Sequence, residues 1–206
     1  MLPSEILEEA RRLHDGTARG YHAWSHPQAL LKLFDTLRNR LHDPLAVECA
    51  IVFHDAIYDP TRTDNERQSA DLAARLLREV VPPQTRSRAI RLIEATERHL
   101  VPEGLNDKDA DDCRIFLDLD LSILGAGDEA FDAYEAGVRH EYQHVPVDAF
   151  RLGRAAILER FLARDRLYIT EWGHEMFEAQ ARVNLARSLD ALRSGLSGPP
   201  DRGVGA

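Results

Sequence analysis

FHDAIYDP, residues 53–60, places a histidine and an aspartate side by side at the end of an apolar segment. In an α-helix, the residues three and four positions away share a face with His54. These neighbours are all apolar or aromatic: Ala50, Ile51, Ile57 and Tyr58. The pattern therefore directs His54 into the core, where an imidazole or a carboxylate is costly unless it meets a partner.

Helical spacing continues on both sides of this stretch, and no convincing segment alternates with the period of a β-strand. Start signals such as Pro27, Asp43-Pro44 and Asp128 divide the chain into short helices. We predict an all-α fold, a compact single domain of about eight or nine helices over residues 1–193 with a flexible tail over 194–206. The expected helices cover approximately 4–15, 27–41, 43–58, 64–81, 83–99, 112–125, 128–144, 148–163 and 172–193.

A second acidic pattern occurs in FLDLDLSIL, residues 116–124. The helical neighbours of Asp120 are all apolar, namely Phe116, Leu117, Ile123 and Leu124, whereas Asp118 has Arg114 one turn earlier. We therefore expect Asp120 to point inward and Asp118 to pair with Arg114 near solvent.

A divalent metal ion would satisfy a buried imidazole and a buried carboxylate at once, because both are common ligands of such ions. Asp55, adjacent to His54, can reach the same ion from the end of its helix. GYHAWSH, residues 20–26, offers two further candidates. His26 is expected at a helix start, and His22 in the loop before it, since a residue that precedes proline disfavours α geometry.

Composition narrows the class of partner. The net charge of −9 disfavours binding to a nucleic acid polymer, but it allows a small phosphorylated substrate if a metal supplies local positive charge. Two cysteines, Cys49 and Cys113, form no disulfide framework, and no apolar run is long enough for a membrane span. A reducing compartment, the cytoplasm, is the expected location.

Four blocks in order resemble a bacterial subgroup of predicted phosphohydrolases in the HD-domain metal-dependent superfamily. They read YHAWSH, FHDAIYDP, DNERQS and LDLDLSILG, and the similarity continues through EYQHVP and RFLARDRLYIT to cover nearly the whole chain short of the tail. One departure is Arg98, where a lysine is expected. The resemblance implies a metal-dependent phosphohydrolase for a small phosphorylated substrate, with a nucleotide as the commonest expectation. The implied metal ligands are His26, His54, Asp55 and Asp120.

The resemblance leaves the metal open among Mn, Mg, Fe, Co, Ni and Zn, and it does not indicate an oligomeric state. Asp55 is implied to orient or deprotonate the attacking water. The alternative is a non-catalytic protein that keeps the metal fold and binds a nucleotide or regulates a partner.

Several residues have two interpretations each. Glu66 either closes a capping box with Thr63 or serves as a catalytic carboxylate in the pocket. His22 and His99 either contact substrate or pack structurally, with His99 ending its helix. Three further residues in matching blocks could bind phosphate, although an ordinary surface position is the favoured interpretation of each: Arg139, Arg166 and Tyr168.

Two Glu-x-x-His pairs also have the spacing of di-iron bundles: Glu141 with His144, and Glu171 with His174. Pro146 and Gly173 interrupt the helices that such a bundle needs, so this interpretation is disfavoured.

Overall fold

A computed structural model describes residues 1–16 and 18–196, and within these ranges the protein contains helices and no β-strand. The predicted all-α class is therefore confirmed. The described part of the chain forms nine α-helices: α1 Ser4–His14, α2 Ser25–Leu37, α3 Pro44–Phe53, α4 Asn65–Leu76, α5 Pro83–Ala95, α6 Asp107–Asp120, α7 Asp128–Glu141, α8 Val147–Leu162 and α9 Glu171–Leu196.

Short 3₁₀ turns extend α2 and α6, at Arg38–Arg40 and Leu121–Gly125. The last helix continues three residues past the predicted domain end at 193, and the rest of the predicted tail lies outside the described residues. None of the helices in the described ranges is both long and apolar enough to cross a bilayer.

Helix α3 is the central helix of the larger of two apolar cores. The Asp43 carboxylate accepts a hydrogen bond from the backbone N–H of Ala46 at 3.1 Å, and Pro44 occupies the first turn. Every residue from Ala46 to Phe53 is buried, because this sequence is apolar around most of the helix. Helices α2, α4, α5 and α6 pack around it, and both cysteines lie in this core as free thiols, as predicted.

The helix ends five residues earlier than the predicted 43–58. The backbone N–H of His54 still donates to the carbonyl of Ala50 at 2.9 Å, but Ala56 already bonds three residues back, to Phe53. The hydroxyl of Ser69 on α4 then accepts from the N–H of Ile57 and donates to its carbonyl, at 3.0 and 3.1 Å. A side chain from a distant helix therefore replaces the next turn of α3.

The second core lies between the 3₁₀ turn after α6 and the last three helices. Helices α8 and α9 pack side by side, and α9 also covers this turn. The buried ring of Tyr168 fills the junction, and its hydroxyl donates to the carbonyl of Leu121 at 2.9 Å. This arrangement fixes the end of α6, and with it the direction of Asp120.

The prediction for Asp118 was wrong. Its side chain is buried and accepts three hydrogen bonds, from the N–H groups of Ile169 and Thr170 at 2.7 Å and from the Thr170 hydroxyl at 2.6 Å. Arg114 instead pairs with Asp111 at 2.7 Å. The segment before α9 folds over Asp118, and the spacing within α6 contains no sign of that distant partner.

His14, at the end of α1, should make stability depend on pH. Its Nδ1–H donates to the carbonyl of Ala10 at 2.8 Å, and burial lowers its pKa to about 4. An unfolded histidine takes up a proton near pH 6.5, so between about pH 6.5 and 4 the unfolded chain binds more protons. The free energy of unfolding should therefore fall by on the order of 3 kcal/mol across this window from His14 alone.

Denaturant titrations at pH values from about 7 to 4 measure this effect. The variant His14→Gln, which cannot titrate, should lose that part of the pH dependence, whereas His144→Gln at an exposed position should keep it. An equal pH dependence in wild type and His14→Gln would contradict the assignment.

Candidate metal centre

Three side-chain atoms from three helices meet at one point. The Nε2 atoms of His26 and His54 are 3.0 Å apart, and Oδ1 of Asp120 lies 3.1 Å from the first and 3.2 Å from the second. Both histidines are buried, and the Asp120 side chain is 10 % exposed. Among the described residues, this is the only group of three or more His, Cys, Asp or Glu side chains found in a metal-binding arrangement.

Each of the three residues sits at or beside a helix end. His26 is the second residue of α2, His54 directly follows the last residue of α3, and Asp120 is the last residue of α6. The helical spacing of the sequence correctly predicts that His54 and Asp120 point inside. The meeting of the ends of α2, α3 and α6 depends on how the helices pack, which spacing within one helix does not contain.

Hydrogen bonds at the other ring nitrogens orient the histidines. Nδ1–H of His54 donates to the carbonyl of Ile51 at 3.0 Å, so the neutral ring keeps a lone pair on Nε2. Nδ1 of His26 bonds to the hydroxyl of Tyr21 at 2.8 Å. Partners of this kind are typical of metal-binding histidines, whose second nitrogen fixes the ring orientation. With the His54 ring neutral, its Nε2 and Oδ1 of Asp120 are both acceptors 3.2 Å apart, so this contact needs a proton or a cation between them.

The separations fit one octahedral ion. With metal–ligand bonds of about 2.1 Å, neighbouring ligand atoms of such an ion lie about 3.0 Å apart. The three observed separations of 3.0, 3.1 and 3.2 Å match this edge length. Two imidazoles and one carboxylate on a single face form a donor set that suits a divalent metal ion. The residues present therefore fit a divalent metal ion.

Asp55 lies beside this group. Its Oδ2 is 2.9 Å from Nε2 of His54 and 3.7 Å from Nε2 of His26, and its side chain is 17 % exposed. Arg19 fixes the backbone here, because its guanidinium donates to the carbonyls of Asp55 and Ala56 at 2.7 and 2.9 Å. Asp55 is thus placed to contact either an ion at the three-residue group or a molecule that approaches it.

His99 holds the second oxygen of Asp120. Its Nε2 lies 3.0 Å from Oδ2 of Asp120, which leaves Oδ1 directed at the two histidines. The predicted helix to residue 99 ends instead at Ala95, and His99 adopts a left-handed backbone with φ of 51°. A left-handed backbone costs a residue other than glycine about 1 kcal/mol or more of conformational free energy, so contacts with the surrounding residues must hold His99 in it.

Electrostatics keeps the carboxylates charged. Burial raises the pKa of Asp120, but His54 together with hydrogen bonds from His26 and His99 lowers it well below its ordinary value. The pKa of Asp55 is lowered against burial in the same way, mainly by His54. Burial lowers the pKa of His54, yet Asp55 and Asp120 raise it well above its usual range. Two ionised carboxylates beside two imidazoles form a site that favours a cation.

His22 forms a pair with Glu141, which the sequence analysis did not predict. The fully buried Glu141 carboxylate accepts from Nδ1–H of His22 at 2.8 Å and from the N–H groups of Gly20 and His22 at 2.9 Å. Burial raises the pKa of Glu141, but these bonds lower it below its ordinary value. The His22 ring stacks on Tyr58 with centroids 3.9 Å apart and presents Nε2 as its remaining polar atom.

Two glycines allow the loop before α2, which carries Gly20 and His22, to approach α7 closely. A side-chain carbon at Gly137 would lie 2.8 Å from the backbone nitrogen of Tyr21, a distance that real contacts do not reach. A side-chain carbon at Gly20 would lie still closer to the carbonyl oxygen of Gly137. In sequence, Glu141 follows Gly137 and Val138 at helical spacing, and this inward-facing pattern is the signal that could have identified it.

The three-residue group lies on the wall of a cavity of about 560 Å³, a size typical of small-molecule sites. His22, Asp55, Glu66 and His99 also line this cavity.

Helix α4 begins at Asn65, one residue later than a Thr63 cap requires, and no side chain caps it, so the capping-box interpretation of Glu66 is wrong. Its position favours the pocket interpretation.

Three candidate phosphate ligands lie elsewhere, among the residues that do not line this cavity. Arg139 donates to the carbonyls of Tyr142 and Val145, and exposed Arg166 pairs with Glu171 at 2.8 Å. Tyr168 is buried against Leu121. These side chains stabilise helix ends and turns, and the structure does not bring them to the cavity.

The residues of the di-iron pattern do not converge. Glu141 binds His22, whereas Glu171 pairs with Arg166 on the surface. His174 lies 3.4 Å from Glu178 within its own helix. The disfavoured interpretation therefore finds no support in the described part of the chain.

No family model, curated protein or solved structure matches the chain. Support for a function therefore comes from the geometry of His26, His54 and Asp120 and from the residues around them.

Proposed function

We propose that the protein is a metal-dependent phosphohydrolase for a small phosphorylated compound such as a nucleotide. The observation that carries the proposal is the convergence of His26, His54 and Asp120 on the wall of a cavity of about 560 Å³. Two imidazoles and one carboxylate would hold a divalent ion there. The cavity accepts a small molecule, and the net charge of −9 makes a nucleic acid polymer an unsuitable substrate.

A divalent ion bound at this site would polarise a phosphoryl oxygen and lower the pKa of water. Asp55 lines the cavity next to His54 and is placed to orient or deprotonate the attacking water. Glu66 is a second carboxylate on the cavity wall. His99 holds Asp120 in place, and Arg19 fixes the turn that carries Asp55.

His22 is placed to act on the leaving group. Its Nδ1–H donates to Glu141, so Nε2 of the neutral ring can accept a hydrogen bond from the substrate, and the imidazolium form of His22 can give its Nε2 proton to the leaving oxygen. Arg19 also donates to the His22 carbonyl at 2.6 Å and thus ties the His22 loop to the turn with Asp55.

Hydrolysis measured after chelation and metal restoration tests the proposal, as release of phosphate from monoesters and as release of the alcohol from diesters. We expect a panel of phosphomonoesters and phosphodiesters to contain at least one compound that is hydrolysed with added Mn²⁺, Mg²⁺, Co²⁺ or Ni²⁺. Chelation should abolish the activity, and the added ion should restore it. Activity that survives exhaustive chelation would contradict the mechanism. Full metal occupancy without release from any compound would favour a binding or regulatory protein instead.

Glu141→Gln tests the role of Glu141 in positioning His22. The amide cannot accept from all three donors as the carboxylate does, so the His22 ring should lose its fixed orientation. We expect kcat to fall by about tenfold to a hundredfold while Mn²⁺ affinity stays within about threefold. Steady-state kinetics and calorimetry measure the two quantities separately.

The control is Glu129→Gln, an exposed carboxylate in the first turn of the same helix, which should change neither quantity. An equal loss of kcat and of Mn²⁺ affinity in Glu141→Gln would indicate a general structural defect instead of a positioning role.

A further inference from the structure

The cavity wall made by α7 and α8 is apolar. Val138 and Tyr142 project from the end of α7, and α8 contributes Phe150, Ile157 and Phe161. Gly153 lies between the α8 residues, so positions 149, 153, 157 and 161 face the cavity at four-residue spacing. Phe150, Ile157 and Phe161 remain partly exposed, which leaves apolar surface that a ligand can cover.

The cavity is also poor in positive charge. Arg154 is the only arginine or lysine among its described lining residues, and its guanidinium is already bound by the Glu135 carboxylate and by the Tyr134 hydroxyl at 2.7 Å. The lining includes four acidic residues: Asp55, Glu66, Glu97 and Asp120. A bound metal ion could compensate for one phosphoryl group, but a chain of phosphates needs further cations to bind its charges.

We propose that the substrate of this site carries a single phosphoryl group on an uncharged, largely apolar organic group that packs against α7 and α8. The assignment rests on the proposed function, because the metal centre fixes where the phosphoryl group binds. A nucleoside monophosphate meets the requirement for a single phosphoryl group and offers an aromatic base to this wall, whereas nucleoside di- and triphosphates and the phosphates of small polyols fall outside the class.

Two pairs of compounds test the class. 2-Phenylethyl phosphate and glycerol 3-phosphate share a phosphomonoester and a poor leaving group but differ in the polarity of the organic part. AMP and ATP share the organic part but differ in charge. On protein loaded with Mn²⁺, with the ion in excess over total phosphate, calorimetry gives Kd for each compound that is not hydrolysed, and KM takes its place for each compound that is. Phosphate release is followed separately.

We expect 2-phenylethyl phosphate to bind about tenfold or more tightly than glycerol 3-phosphate, because an apolar pocket discriminates by such factors. AMP should bind at least about tenfold more tightly than ATP. Equal affinities in the first pair, or tighter binding of ATP, would overturn the assignment. Binding in the expected order without hydrolysis would support the substrate class and count against the phosphohydrolase proposal.

Variants on α8 test whether the organic group of the substrate binds at this wall of the cavity. Ile157→Asn makes the wall polar, and Leu152→Asn makes the same kind of change at an exposed position of α8 outside the cavity. Ile157→Asn should weaken the binding of 2-phenylethyl phosphate by about tenfold and leave the affinity for glycerol 3-phosphate within about twofold of wild type. Leu152→Asn should change neither. Equal effects of the two variants would contradict the binding of the organic group against α8.

Gly153→Leu is a second variant that the helix should tolerate. A side-chain carbon at Gly153 meets no atom within 4 Å, and leucine favours a helix more than glycine. The new side chain should occupy space in the cavity. It should weaken the binding of 2-phenylethyl phosphate but not that of glycerol 3-phosphate. Unchanged binding of both compounds in this variant would contradict the proposed orientation of the substrate.

Discussion

Replacing Asp120 by asparagine should lower the affinity for a divalent ion by about a hundredfold or more and abolish most phosphate release. The amide has nearly the same shape but no charge, and its oxygen is a weaker ligand than a carboxylate oxygen. Oδ1 of Asp120 is one of the three converging atoms, and Oδ2 is held by His99. The change therefore removes charge at the centre of the site with little change in packing.

Titration calorimetry with Mn²⁺ measures the affinity, and circular dichroism checks that the helices are intact. Glu97→Gln is the matched control, because Glu97 lines the same cavity but lies outside the converging group. It should keep wild-type affinity within about threefold. Unchanged metal affinity in Asp120→Asn would show that the ion, if one binds, is held elsewhere.

Asp118→Asn should destabilise the fold by on the order of 4 kcal/mol. The buried carboxylate accepts from the N–H groups of Ile169 and Thr170 and from the Thr170 hydroxyl. An asparagine NH₂ group would face at least one of these donors, so buried polar groups would be left without partners. The effect on metal affinity should be small in the fraction that remains folded.

Urea denaturation followed by circular dichroism measures this loss of stability. Asp111→Asn is the control on the same helix, because its exposed pair with Arg114 contributes about 0.5 kcal/mol or less. If Asp118→Asn unfolds within about 1 kcal/mol of wild type, the three hydrogen bonds contribute little to stability.

The spacing of apolar residues in the sequence was sufficient to predict the features that depend on a single helix. The apolar neighbours of His54 and Asp120 predict that both point inward, and both do. The existence of the predicted helices follows from the same periodicity, and the all-α class with it.

Features that depend on distant segments could not be predicted from spacing. Asp118 is buried because residues 169 and 170 fold over it, and Glu141 binds a histidine 119 positions earlier in the chain. The early end of α3 has the same origin, since the hydroxyl of Ser69 takes the backbone bonds of Ile57. In each case a long-range hydrogen bond overrides the local pattern.

The most direct measurement is anomalous diffraction from crystals grown with Mn²⁺, recorded near the manganese absorption edge. We predict a peak about 2.0–2.3 Å from Nε2 of His26, Nε2 of His54 and Oδ1 of Asp120, because those are the bond lengths of such ions. The peak should be absent from crystals of Asp120→Asn grown under the same conditions. A fully formed cluster without a peak, or a peak only at other residues, would contradict the assignment of this site as a metal centre.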